Sequence, residues 1–210
     1  MRILSLLLLL STSCLAVDTE AFSLVPGVSV GPLGAGCRPQ DVEPALAPLG
    51  LRPEDIFAGT LGAAPDTEPS TELWPADPAR RLNLVWSRKR SDRLVKAVLF
   101  GQSSLWKTPE GISLGTPLSE LERLNGKPFL FRSFDLEEGS GQVVDWQGGR
   151  LERHREGMVL ALSLKVPGYS GLSSEEKVAL EQPGTFRSNQ PTIRKLNPVV
   201  ERLEVLLNPE

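Results

Sequence analysis

The chain carries one histidine, so acid–base or nucleophilic chemistry would have to centre on His154. It lies in Arg150–Arg155 (RLERHR), with Glu152 and Glu156 nearby. A Ser–His–Asp triad needs a nucleophile held on a sharp turn, and no G-x-S-x-G or comparable elbow occurs. The pair Glu137-Glu138 has the residue types to divide general-acid and general-base roles. Its setting, LEEGSG, reads instead as a polar surface loop. One histidine and two cysteines exclude two-histidine metal motifs, four-cysteine zinc sites and iron–sulfur ligand sets. Gly148-Gly149 is not a phosphate loop, because neither the flanking strand–helix unit nor a following Lys-Ser/Thr is present. The sequence therefore predicts no catalytic residue, no cofactor, no metal site and no enzyme.

Binding chemistry is what remains. Of Trp74, Trp86, Trp106 and Trp146, the last two adjoin turn-type segments and are the candidate contact residues. Tryptophan at such spacing more often packs in a core or at a sheet edge. Arg88, Lys89 and Arg90, with Arg93 and the Arg150–Arg155 run, are candidates for contact with lipopolysaccharide, lipid headgroups or an acidic partner. The competing reading is ordinary solubilising charge at a hairpin tip. A formal charge of −3 argues against wrapping nucleic acid. An apolar content of 40% is enough to build a core.

Residues 1–16, MRILSLLLLLSTSCLA, have the form of a secretory signal: Arg2, then an apolar run, then small polar residues. The run is too short for a mature span, which takes roughly 20 apolar residues. Two processing routes are open. Cys14 and Ala16 suit ordinary cleavage before Val17, whereas Cys14 itself is the candidate for lipidation. Either route predicts an exported protein, periplasmic or extracellular, or an outer-membrane lipoprotein. Either also leaves Cys37 without a partner in the mature chain, so no intramolecular disulfide is expected. Cys37 is read as a small, half-buried residue.

The elements follow from periodicity and punctuation. Residues 18–36 read as an extended leading segment. Pro39 suits the first position of a helix carrying Val42, Ala45, Leu46 and Leu49, which Pro44 keeps short or kinked and Gly50 ends. Leu82, Leu84 and Trp86, the turn SRKRSD and then Leu94–Phe100 predict a hairpin. Thr116 as cap and Pro117 as first residue predict a second helix with a Leu118, Leu121 and Leu124 stripe, stopped at Asn125-Gly126. Strict alternation at Met158, Leu160, Leu162, Leu164 and Val166 predicts a central strand, and Val199–Leu207 a C-terminal one. Ser173 and Glu176 have capping-box spacing for a short helix. Ser188–Asn197 holds one more helical turn.

An offset of 79 aligns Gly36 with Gly115, Asp41 with Glu120, Val42 with Leu121 and Glu43 with Glu122. Each helix is followed by four β-type segments, near 55–60, 70–74, 80–87 and 93–101, then near 128–134, 142–147, 158–166 and 199–207. This predicts an α+β fold of two tandem units, residues 17–104 and 105–210, each a short helix packed on antiparallel strands in a largely antiparallel sheet.

The run Trp106–Thr116 (WKTPEGISLGT), then Leu124–Phe129 (LNGKPF), Val144–Leu151 (VDWQGGRL) and the Phe186–Val199 stretch resemble a family of uncharacterised bacterial exported proteins. The resemblance extends over about residues 24–207 and brings no activity with it. It departs at Phe134–Glu138 (FDLEE), where a glycine- and aromatic-rich turn is expected. The module is also similar to the small lipoprotein of the outer-membrane β-barrel assembly machinery and to the secreted β-lactamase inhibitor protein, which is two such units in tandem. Both bind proteins. The resemblance implies a non-catalytic interaction module of the envelope or secreted fraction, whose partner is another envelope or secreted protein. A scaffold anchored through Cys14 is the first alternative, and that anchor is then its only membrane contact. A carboxylate-based hydrolase acting on polysaccharide is the second.

Overall fold

The computed structural model describes residues 21–62, 65–90, 92–134, 140–163 and 172–207. The leader with Cys14, the turn at Asp135–Glu138, and Leu164 and Val166 lie outside them. The fold is α+β with antiparallel sheets. In place of a plain extended lead-in come three two-residue strands, β1 (Leu24–Val25), β2 (Ser29–Val30) and β3 (Leu33–Gly34). Arg38 caps a 3-10 turn that begins at Pro39 and runs into α1 (Val42–Leu46). Pro44 is tolerated because it sits in the first turn, where its missing N–H costs nothing. Gly50 closes the segment in the left-handed region, φ +82°.

Four strands follow as a meander: β4 (Ile56–Leu61), β5 (Glu68–Leu73), β6 (Leu82–Ser87) and β7 (Arg93–Phe100). Next come α2 (Leu118–Asn125), β8 (Leu130–Arg132), β9 (Val143–Asp145) and β10 (Met158–Ser163). The chain then forms α3 (Ser174–Glu181), β11 (Thr185–Arg187), α4 (Pro191–Leu196) and β12 (Val199–Leu206). The capping box is present at α3, where Ser173 Oγ accepts from Glu176 N and Glu176 Oε2 accepts from Ser173 N.

Six strands form the main sheet in the order β10-β12-β7-β6-β5-β4, and β11-β8-β9 form a smaller one. Among the described residues the bridge from Gln142 to Ala161 joins the two. The main sheet crosses the boundary expected near residue 104, because β7 pairs with β12. Strand β10 alternates buried and half-buried residues as expected, yet it is the outermost strand of that sheet and not a central one. Alternation reports one buried face. It carries no information on how many strands pair alongside.

One face of the main sheet packs on the helices and short strands. A row through Ala58, Thr71, Leu84, Ala97, Val205 and Met158 belongs to this face. Leu73, Leu82, Leu99, Leu160 and Leu203 join Val42, Leu46, Leu118 and Leu121 in one continuous core.

The two helix–strand joints are built alike. Cys37 O accepts from Leu94 N and Thr116 O from Val200 N, each at 2.9 Å. Each donor is the second residue of an eight-residue strand, β7 or β12. The helix caps correct the expectation at Thr116. Pro117 is the N-cap, and Thr116 Oγ1 accepts from Ser113 N within the preceding loop. The capping oxygen of α2 is Asn197 Oδ1, which accepts from Ser119 N at 3.0 Å from 78 residues away. Asn197 itself has φ +44°. Asn197→Ala should therefore cost about 1–2 kcal/mol, through the lost cap and a left-handed alanine. Asn197→Gly should recover part of that loss, as read by denaturant midpoints of the two variants.

Cys37 is wholly buried and disulfide-bonded, against the expectation of no intramolecular disulfide. The one other cysteine in the sequence, Cys14, lies outside the described residues.

Candidate functional site

The second face of the main sheet is separate from the core. One row crosses all six strands as Phe57, Glu72, Asn83, Val98, Glu204 and Val159. The next runs through Gly59, Ser70, Val85, Lys96 and Leu206. Val85 and Val98 are buried yet stand outside the hydrophobic core cluster. Longer charged side chains surround them. Lys96 Nζ lies 2.6 Å from Glu68 Oε2 and 3.8 Å from Glu204 Oε2. Arg202 pairs with Glu204, and its guanidinium sits 5.2 Å from the centre of the Phe100 ring. Glu72, half-buried, joins no ion pair among the described residues. Beside it Phe57 is 52% exposed, and Phe100, two strands away on β7, is 39% exposed. A small-residue centre, balanced charge pairs, one unbalanced carboxylate and two aromatic rings together suit the recognition of another surface.

The residues singled out by type are placed elsewhere. Trp106 is fully buried, with Nε1 donating to Arg80 O at 2.8 Å and its ring edge-on to Phe22. Trp146 is 4% exposed and packs on Phe129 with ring centroids 5.1 Å apart. Neither is an exposed anchor, a correction that follows from a ring's large apolar area outweighing its position beside a turn. Arg88–Arg90 form a 3-10 turn at the tip of the β6–β7 hairpin. Arg88 and Lys89 are exposed there, and no ion pair among the described residues engages them.

The motif residues have structural roles. Asn125 Nδ2 donates to Trp146 O and Lys127 O, each at 2.9 Å, and Asn125 Oδ1 accepts from Leu151 N at 3.1 Å. A Cβ on Gly149 would lie 2.2 Å from that oxygen, so Gly149 serves this close approach, while Gly148 takes a left-handed φ of +63°. Ser188 Oγ donates to Glu122 Oε1 at 2.6 Å and accepts from Phe129 N, tying the Phe186–Val199 stretch to α2.

His154 is paired with neither Glu152 nor Glu156. Its Nε2 lies 2.7 Å from Oε1 of Glu110, which comes from the WKTPEG run. Arg153 Nη2 lies 2.5 Å from the same oxygen, and Arg153 Nε is 3.0 Å from His154 Nε2. One ring nitrogen cannot donate to Glu110 and accept from Arg153 at once. An ionised Glu110 selects the form with the proton on Nε2. Burial alone would raise the Glu110 pKa, but hydrogen bonds from Arg153 and His154 outweigh it and hold the carboxyl at about 2. A carboxylate so held is no proton donor near neutral pH. No nucleophile is hydrogen-bonded to His154 among the described residues.

A carboxylate with a depressed folded pKa stabilises fully above its unfolded value, here 4.5, and loses that contribution as pH falls toward 2. Melting temperature should fall across that window. In Glu110→Gln the fall should be shallower, with a lower plateau above pH 5. Parallel curves for the two proteins would remove Glu110 from the account.

No known family model matches the chain, and no curated protein matches it in sequence. Among solved structures it is similar to the uncharacterized protein yfeY from Escherichia coli. The two share 12% identity over 88% of this chain and 99% of that one, with a TM-score of 0.44.

Proposed function

We propose that this protein is an exported, non-catalytic interaction module whose second sheet face receives a protein partner. The observation that carries the reading is the row from Phe57 to Val159, which lies outside the hydrophobic core and runs from the exposed Phe57 through half-buried Glu72 and Asn83 to buried Val98 and Glu204, on a sheet whose other face builds the core. The partner offers a basic side chain to the unbalanced Glu72 and an apolar one to Phe57. The leader supports export, and no helix among the described residues is long and apolar enough to cross a membrane. Anchoring through Cys14 is the competing arrangement, because a lipidated Cys14 cannot also be the disulfide partner of Cys37, and metabolic fatty-acid labelling decides between them.

The two helix–sheet units are, in this reading, copies of one module related by a two-fold axis. Val200 lies 106 positions after Leu94 (200 − 94), as Glu204 does after Val98 (204 − 98). Val98 and Glu204 are also direct partners in the β7–β12 ladder, so equivalent residues meet at its centre. Duplication of a module, with the copies joined through their last strands, produces a broad continuous face from a small unit.

Capture from envelope extracts tests the binding claim. A partner should be retained by the parent chain, lost with Asn83→Arg in the middle of the face, and kept with Lys89→Glu at the hairpin tip. Loss with Lys89→Glu and retention with Asn83→Arg would move the binding surface to the tip and overturn the reading.

A further inference from the structure

We infer that β4 is a self-association edge, pairing antiparallel with β4 of a second copy of this chain about a two-fold axis at Gly59. The inference is independent of the partner-binding face.

The phase of the β4–β5 ladder shows which groups point outward. Trp74 N donates to Asp55 O at 3.0 Å, and residues 55, 57, 59 and 61 share that phase in the register. Ile56, Ala58 and Thr60 therefore turn their N–H and C=O away from β5. The Ile56 N–H is taken by Pro53 O. Ala58 and Thr60 each leave one donor and one acceptor facing solvent, and Phe57–Thr60 are all exposed.

Sheet edges are ordinarily blunted by charge, proline, a bulge or a covering segment. The opposite edge has such cover, since Gln142 bridges to Ala161 and Leu162 N donates to Gly141 O at 2.9 Å. Strand β4, IFAGTL, has no charged residue and no proline, and its register with β5 is unbroken. Among the described residues no strand pairs with its outer side, whereas the other edge of the sheet is covered.

The second copy fits this edge in one register. With Gly59 on the axis, Ala58 of each chain faces Thr60 of the other, and four N–H···O bonds satisfy all four outward pairs. Gly59 presents no side chain at the point of closest approach. The uncharged centre places no like charges opposite each other.

The test uses the full chain. Sedimentation should show a concentration-dependent dimer, and hydrogen exchange at Ala58 and Thr60 should slow as it forms. Ala58→Pro removes an outward N–H without breaking a bond to β5, so it should yield a monomer with an unchanged melting temperature. A Cβ at Gly59 meets nothing within 4 Å. Gly59→Cys should therefore fold normally and cross-link to a dimer at least about tenfold faster than Val178→Cys, an exposed control. A chain that stays monomeric at high concentration, a dimer that survives Ala58→Pro, or Gly59→Cys cross-linking no faster than the control would each overturn the inference.

Discussion

Replacing Leu162 by aspartate should unfold the protein. Leu162 is 3% exposed, stands opposite the fully buried Val200, and belongs to the continuous core. An unpaired carboxylate there costs several kcal/mol whether it stays ionised or takes up a proton. That is comparable with the whole stability of a domain this size, about 5–15 kcal/mol. Ala161→Asp, one residue earlier, is the matched control. Ala161 lies on the opposite face, half-exposed, directly across from Arg202. It should fold with nearly the parent melting temperature. If A161D unfolds and L162D does not, the face assignment of β10 is reversed.

Trp146→Ala should lower stability by about 3–5 kcal/mol, the cost of deleting a large buried ring whose surroundings collapse only in part. Trp146 is 4% exposed, its ring lies against Phe129, and its carbonyl is held by Asn125. The loss should appear as a shift in denaturant midpoint without a change of fold in far-ultraviolet circular dichroism. An anchor exposed for a partner would behave the other way, with unchanged stability and binding weakened by about 2 kcal/mol or more. A stable W146A protein that no longer binds would contradict the packing described above.

These two residues also mark what the sequence could and could not convey. The alternation at Met158–Leu162 identifies a half-buried strand because side chains alternate faces with period two. Ser173 and Glu176 locate a helix start because a capping box is local chemistry. Both are readable within a few residues. The position of β10 at the edge is not, since pairing with β12 is set more than 30 residues downstream. The cap of α2 by Asn197 and the Glu110–His154 pair join residues 78 and 44 positions apart, and no spacing rule foretells them. Strand β11 is not legible in the sequence because three residues, TFR, carry no period. The face proposed for binding is the least legible. Phe57, Glu72 and Asn83 are ordinary residues in ordinary strands, and only the register lines them up. The tryptophans drew attention by type, and the core took them.

The paired charges on that face bear on how a partner would be held. Lys96 and Arg202 are already committed to Glu68 and Glu204, so they fix the surface more than they attract. Glu72 is the group left to steer an approaching cation, an effect that salt should weaken. Arg88 and Lys89, at the hairpin tip, would add a second and weaker contact to any acidic rim of the partner.

The central claim is that a protein partner sits on the sheet face carrying Asn83 and Val159. Site-specific photocrosslinking in cells tests it most directly, with the probe placed in turn at Asn83, at Val159 and at the exposed Glu43 on α1. The account predicts one common adduct from Asn83 and Val159 and none from Glu43. The same adduct from Glu43, with none from the two sheet positions, would contradict it.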